Sequence, residues 1–146
     1  MYFVERSKIE QTLEYLDQLL DVLKMNDPDT LIDKLGLERA VHIVIECTID
    51  VGNMMIDGFI MRDPGSYDDI IDILIDEKVL PLQEETPYKQ LIQLRKMLMS
   101  SYHAVDHRQL QQIVQRNYHI YKQFSSHVRT YLDNELGVAN AFSNES

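Results

Sequence analysis

The chain has 146 residues, of which 45% are hydrophobic and 26% charged, with a formal net charge of -10, five glycines, four prolines and one cysteine. These values are typical of one packed domain and exclude disordered, collagenous and disulfide-stapled proteins. The start of the chain is charged by its fifth residue, so we expect no signal peptide and a cytoplasmic protein. Polar side chains interrupt the most apolar stretch, 40–61, so no membrane anchor is expected.

Apolar spacing predicts the first two helices. Leucines recur at steps of three and four over 6–25, which is typical of an amphipathic helix, and the turn sequence NDPD ends it. A second helix is predicted over 37–60, after Gly36, and its mostly apolar circumference places it at the centre of a bundle. Its polar side chains form one narrow stripe that faces water, a cleft or a partner: Arg39, His42, Glu46, Asp50, Asn53 and Asp57.

Capping patterns predict the remaining helices. Each start is marked by a serine, threonine or aspartate followed by a residue suited to the first helical turn. These helices are capped by Ser66, Thr86 and Asp106 and run over about 66–77, 87–101 and 106–136. Gly137 is expected to end the last of them.

The fold class predicted from these elements is all-α, a bundle of about five helices, because no segment alternates as a strand does. Residues 1–136 are expected to form the single domain. The segment 137–146 is small and polar, and we expect it to be a flexible C-terminal tail.

Charge is distributed unevenly along the chain. Residues 1–86 contain 20 acidic and 7 basic side chains, whereas residues 87–132 contain 7 basic side chains and one acidic side chain. Four of the five histidines also lie in the basic segment. An anionic ligand is therefore expected to bind there, although the basic helices could equally neutralise the acidic ones within the bundle or across a dimer.

Strong catalytic motifs are absent from the sequence: no Walker loop, dinucleotide fingerprint, nucleophile elbow or zinc-type cysteine pair occurs. The spacing of His42, Glu46 and Asp50 places an imidazole and two carboxylates on one helix face, which is a weak metal-site pattern. A di-iron bundle needs paired Glu-x-x-His helices, and none occurs. We predict no metal and no cofactor, and Cys47 is interpreted as an inert core thiol.

Several blocks of the sequence resemble one known family. They are MYFVERSKIEQTLEYLDQLL, LERAVHIVIECTIDVGNMMIDG, RDPGSYDDIIDILIDEKVLP and LIQLRKMLMSSYHAVD, and together they cover about residues 1–121. In this order they resemble the HepT-like branch of the HEPN proteins, which are helical prokaryotic proteins and often ribonuclease toxins of toxin–antitoxin pairs. The resemblance implies a HEPN-like fold, a two-fold homodimer and a metal-independent endoribonuclease.

The catalytic motif of that family is only partly present. The family pattern is Arg-Asn-x-x-x-His-x-Tyr, and Arg95 and Tyr102 match its arginine and tyrosine. Lys96 stands in place of the asparagine and Ser100 in place of the histidine. The resemblance gives the arginine the role of stabilising the phosphate and the histidine that of acid or base, which a serine cannot perform near neutral pH. The sequence therefore predicts a catalytically weakened relative.

The remaining candidate site residues follow from the same resemblance. His103 is the only nearby imidazole, but it lies eight positions after Arg95 and outside the family spacing. Glu46, Asp50 and Asn53 match the polar residues with which the second helix of the family lines the cleft. Met54 falls where family members often have histidine.

The sequence leaves two functions open. The first is a HepT-like ribonuclease, or a weakened relative that binds RNA or a nucleotide in a cleft at the dimer interface. The alternative is a non-catalytic HEPN module that binds a nucleotide or a protein partner. For the first, the resemblance adds a small nucleotidyltransferase antitoxin as a partner, with Tyr102 as the residue that it would modify.

Overall fold

The computed structural model describes residues 4–25 and 27–144, with side chains for 4–24 and 27–137. Within these residues the chain forms six α-helices, a short 3-10 helix and no strand. The helices are α1 (Arg6–Met25), α2 (Leu31–Gly58), α3 (Tyr67–Asp76), α4 (Glu85–Ser100), α5 (His107–Arg116) and α6 (Tyr118–Asn144). The predicted all-α class is confirmed, with six helices in place of about five.

Helix α2 lies at the centre of the bundle, as its apolar circumference predicted. It packs against α1, α3, α4 and α5, and Val41, Val44 and Ile45 are fully buried among them. Cys47 is buried on the same helix, and burial raises the pKa of its thiol to about 11, with smaller contributions from Asp50 and Glu46. The thiol is therefore protonated at neutral pH and inert, as predicted.

The predicted start of α2 at residue 37 is wrong, because the helix begins six residues earlier. Thr30 and Asp33 form a capping box: the Thr30 hydroxyl accepts a hydrogen bond from the Asp33 amide, and the Asp33 carboxylate accepts one from the Thr30 amide, both at 3.1 Å. These bonds satisfy backbone donors that a helix start leaves unpaired. Gly36 therefore lies inside the helix and does not precede it.

The long helix predicted over 106–136 is broken into α5 and α6 at Asn117. The Asn117 side chain donates a 3.0 Å hydrogen bond to the carbonyl of Ile113, and its backbone amide donates to the same carbonyl. This cap ends α5, and α6 starts at the next residue. Helix periodicity cannot reveal such a break, since apolar residues continue on both sides of it.

The predicted end of the last helix at Gly137 is also wrong. Helix α6 continues through this glycine to Asn144. Among the described residues no glycine adopts the positive φ of a left-handed helix cap, so Gly137 does not act as a terminator. Residues 145 and 146 lie outside the described part of the chain, and the flexibility of 137–146 stays a prediction.

Helix α4 begins at Glu85, where the 3-10 helix Leu82–Glu84 leads directly into it, two residues before the predicted start. Two buried tyrosines tie this end of α4 to α6. The Tyr121 hydroxyl donates to the Pro87 carbonyl at 2.7 Å, and the Tyr88 hydroxyl donates to the Ile120 carbonyl at 3.1 Å. These bonds fix α4 within the bundle, and with it the side chains that α4 presents to α2.

Gly52 permits the close packing of α2 against α3. A Cβ atom at this position would lie 2.5 Å from Cγ2 of the buried Ile70, a branched side chain that has little freedom to move. We expect Gly52→Ala to lower the free energy of unfolding by about 1 to 3 kcal/mol, as overpacking of a core does. Urea denaturation measures this change.

Gly36 provides the matched control, because it lies in the same helix with open space around it. Gly36→Ala should raise the free energy of unfolding by about 0.4 to 1 kcal/mol, since alanine loses less backbone entropy on folding. Equal effects of the two substitutions would contradict the close approach of α2 and α3.

Candidate functional site

Arg95 of α4 and Glu46 of α2 form the central contact of the candidate site. The Arg95 Nε donates a 2.6 Å hydrogen bond to Glu46 Oε1, and the two side chains are 26% and 30% exposed. This hydrogen bond and the charge of Glu46 raise the pKa of Arg95. The pair therefore lies at the edge of the bundle, where solvent and ligands reach it.

The aromatic ring of Tyr67 covers the Arg95 guanidinium. Its centroid lies 4.7 Å from Arg95 Cζ, which is the geometry of a cation–π contact. Tyr67 is the first residue of α3, and the preceding Ser66 caps this helix by accepting a hydrogen bond from the Asp69 amide. Sequence reasoning did not place Tyr67 in the site, because only the fold brings the start of α3 to α4.

The loop before Tyr67 is held in place by Asp69. This carboxylate accepts two hydrogen bonds from Arg62, at 2.8 and 2.9 Å, and one from the Gly65 amide. These partners, Arg62 foremost, lower the pKa of Asp69 to about 2. The carboxylate is ionised at neutral pH, so its hydrogen bonds with Arg62 and Gly65 hold the loop before Tyr67 in place under physiological conditions.

The terminal nitrogens of Arg95 remain available to a ligand. Glu46 engages only Nε, and no acceptor among the described residues is hydrogen-bonded to Nη1 or Nη2. An arginine held at Nε and on one face presents a planar pair of donors that matches two oxygens of a phosphate. This geometry agrees with the phosphate contact that the resemblance implies for Arg95.

His42 is the imidazole that the structure places beside this pair. Its Nε2 lies 3.5 Å from Glu46 Oε1, the same oxygen that accepts the hydrogen bond from Arg95. His42 belongs to the polar stripe of α2, and the sequence indicated it only as part of a weak metal-site pattern. Its spacing of four residues from Glu46 was the available signal.

Asp50 and Asn53 lie further along the stripe and make no hydrogen bond to Arg95. Asp50 is exposed, and partial desolvation together with the charge of Glu46 raises its pKa. Both residues line an open groove that also contains Lys8 and Asp57. Of the three polar residues expected to line the cleft, the structure brings only Glu46 into contact with Arg95.

The other candidate residues lie at and beyond the end of α4. Lys96 and Ser100 are exposed on the helix, and Ser100 is its last residue. Tyr102 is 72% exposed in the following turn, and its ring lies 5.8 Å from that of His103. Neither ring forms a hydrogen bond or ion pair with another described residue, so nothing in the described structure links His103 to Arg95.

Among the described residues, no group of three or more histidine, cysteine, aspartate or glutamate side chains is arranged to hold a metal ion. None of the described helices combines the length and the apolar character needed to cross a membrane.

Comparison with known proteins shows the family of this chain. It is 46% identical over 143 residues to the Bacillus subtilis protein described as "Putative RNase YutE", and the match covers 97% of this chain and 99% of that protein. The solved structure of YutE, a "Cytosolic Protein of Unknown Function" from Bacillus subtilis, superimposes with a TM-score of 0.91 over 94% of this chain and 96% of the other. The family model "Ribonuclease HepT-like" matches residues 9–128, and the chain therefore belongs to the HepT-like ribonuclease family of the HEPN superfamily.

Proposed function

We propose that this protein binds single-stranded RNA through Arg95 and cleaves it slowly, as a metal-independent HEPN endoribonuclease. The observation that supports the proposal most strongly is the state of Arg95, which Glu46 and Tyr67 hold in place while both Nη nitrogens stay unpaired with any described residue. Arginine in this state is suited to clamp a phosphate and to stabilise the charge that develops on it during cleavage. The family of the chain supports RNA as the source of that phosphate.

The slow rate follows from Ser100. This residue occupies the position of the motif histidine and is exposed at the end of α4, where its hydroxyl has no base or acid beside it among the described hydrogen bonds. A hydroxyl does not titrate near neutral pH, so Ser100 cannot replace the acid–base function of histidine. The alternative, a binding module without catalysis, shares the same Arg95 site and differs only in the absence of turnover.

Two assays on the purified protein test the proposal. Fluorescence anisotropy with a single-stranded RNA methylated at every 2′-oxygen measures binding without cleavage, and we expect the affinity to fall as salt is raised. Incubation with the unmethylated RNA measures cleavage. Absence of binding at low salt would contradict the proposal and favour a protein partner, whereas tight binding without cleavage would favour the non-catalytic module.

We also propose that the protein is a homodimer. Its interface lies at the end of the molecule where α2 begins and α4 ends. The apolar residues of α2 are already buried by the other helices of the same chain, so they do not need a second copy of the protein to cover them. Exposed apolar side chains at this end give a reason for pairing: Leu31 is 70% exposed and Leu35 follows it by four residues on α2, and Met99 is exposed near the end of α4. Two-fold pairing here would bury these side chains and bring two sites together.

Light scattering at micromolar concentration should give a mass of about twice 17.1 kDa, and salt should loosen the dimer only modestly because apolar burial stabilises it. Leu31→Asp should yield the monomer. Leu82→Asp is the matched control, since Leu82 is similarly exposed, at 67%, in the separate 3-10 helix. A wild-type monomer, or equal behaviour of both variants, would contradict this interface.

The toxin role, the antitoxin partner and the cytoplasmic location complete the proposal. Tyr102 is exposed and makes no hydrogen bond to a described residue, so its hydroxyl is accessible to a modifying nucleotidyltransferase. The description of YutE as a cytosolic protein supports a cytoplasmic location. Co-expression with a nucleotidyltransferase encoded next to this chain, followed by mass spectrometry of the Tyr102 peptide, tests the partner.

A further inference from the structure

An open groove runs between α2 and α4 one helical turn away from Arg95. We call it the α2–α4 groove, and it is lined by Leu35, Glu38, Arg39, His42 and Leu98. Leu98 follows Arg95 by three residues, and His42 precedes Glu46 by four, so groove and ion pair occupy the same two helix faces. A ligand phosphate on Arg95 is therefore adjacent to whatever lies in this groove.

His42 is the titratable group best placed to act on such a ligand. Its side chain is 23% exposed, and its Nε2 lies 3.5 Å from the Glu46 oxygen to which Arg95 Nε donates at 2.6 Å. One carboxylate oxygen thus contacts both Arg95 and an imidazole. A carboxylate beside an imidazole is the arrangement found at many general bases.

Two guanidinium groups near His42 can bind the phosphates of a ligand in the groove. On its own helix it faces Glu38, Arg39 and Glu46, and Arg95 approaches from α4 through Glu46. Glu38 is already engaged, because His107 from the start of α5 lies 2.8 Å from it. Arg39 is exposed and has no hydrogen bond or ion pair among the described residues, so its charge is available to a second phosphate.

We propose that the α2–α4 groove holds the ribose 5′ to the scissile phosphate of an RNA strand and that His42 is the general base for its 2′-hydroxyl. This proposal rests on the proposed function. In the step, the proton of the 2′-hydroxyl passes to the His42 imidazole and O2′ forms a bond to phosphorus. The bond from phosphorus to the 5′-oxygen breaks, and that oxygen takes a proton from water. The products are a 2′,3′-cyclic phosphate and a 5′-hydroxyl, and the imidazolium returns its proton to solvent.

This assignment differs from the expectation that His103 supplies the imidazole. It also explains why we expect slow cleavage from a chain without the motif histidine. His42 supplies the base, whereas the 5′-oxygen that leaves depends on water for its proton. Glu46 is in this account a positioning residue that acts through His42 and Arg95.

The test compares His42→Gln with His119→Gln, an exposed histidine near the start of α6. We expect His42→Gln to lower kcat/KM for RNA cleavage by roughly 10²- to 10⁴-fold, the usual contribution of a positioned general base. His119→Gln should leave kcat/KM unchanged. Binding of 2′-O-methylated RNA should change less than about twofold in both variants, which separates a catalytic loss from a folding defect.

Two additional measurements make the role of His42 specific. In the wild type, the fall of kcat/KM at low pH reports protonation of the base. We expect this fall to be absent from the pH profile of any activity that His42→Gln retains. In NMR spectra of the wild type, 2′-O-methylated RNA should shift the ring signals of His42 and leave those of His119 in place.

The outcomes distinguish this proposal from the proposed function. Wild-type cleavage that survives in His42→Gln and is lost in His103→Gln would overturn the role of His42 and leave the nuclease function intact. A wild type that binds RNA and never cleaves it would overturn both.

Discussion

Arg95→Ala should weaken binding of single-stranded 2′-O-methylated RNA by about 1 to 3 kcal/mol, which corresponds to roughly a fivefold to 150-fold rise in Kd. The substitution removes the two Nη donors that the structure leaves available beside Glu46 and Tyr67. It also leaves the half-buried Glu46 carboxylate without its guanidinium partner, so that its negative charge is no longer neutralised and repels phosphate. Fluorescence anisotropy at several salt concentrations measures the change, and the salt dependence of binding should become shallower in the variant.

Arg129→Ala is the matched control for this experiment. Arg129 donates through Nε to Glu10 at 2.9 Å, so it forms the same type of interhelical pair as Arg95, but between α6 and α1. We expect its loss to leave RNA affinity within about twofold of the wild type, since Arg129 lies outside the family motif and no described aromatic ring covers its guanidinium. Equal weakening by both substitutions would show that net charge, and not the Arg95 site, determines RNA binding.

Ser100→His should raise the rate of RNA cleavage by about 10²- to 10⁴-fold, the contribution of a positioned acid or base. The new imidazole would stand at the motif position, on the last residue of α4 and one turn and a half beyond Arg95. Ser100 is exposed, so the larger side chain needs no rearrangement of the core. The measurement is the single-turnover rate with protein in excess over labelled RNA.

Ser101→His is the control for the position of this imidazole. Ser101 follows the end of α4 with a non-helical backbone, φ -114° and ψ 40°, so a histidine there points in another direction. We expect no gain in cleavage from it. An inert Ser100→His variant that folds and binds RNA normally would favour the non-catalytic module, because the site would then lack the geometry for in-line attack.

Much of the fold could be predicted because local sequence patterns determine where its helices begin and end. The leucine spacing of α1 predicted the observed range Arg6–Met25, and Ser66 and Asp106 cap α3 and α5 as expected. The errors concern places where two local signals compete. Gly36 looked like a helix boundary while Thr30 and Asp33 formed the stronger capping box.

The contacts of the site were less accessible to sequence reasoning than its elements. The resemblance indicated Arg95 and Glu46, which lie 49 positions apart and form the observed ion pair. Tyr67 reaches the same guanidinium group through the packing of α3 against α4, which no local pattern reports, whereas the spacing of four residues between His42 and Glu46 was visible in the sequence. The sequence instead favoured His103 because it is close to Arg95 along the chain.

Cleavage of unmodified RNA by the purified wild-type protein is the decisive test of the proposed nuclease activity. The reaction is followed with protein in excess, in EDTA, with Arg95→Ala in parallel. We expect slow cleavage that EDTA does not alter, products with 2′,3′-cyclic phosphate and 5′-hydroxyl ends, and no cleavage by the variant. RNA that is fully bound and stays intact, or cleavage that EDTA abolishes, would contradict it.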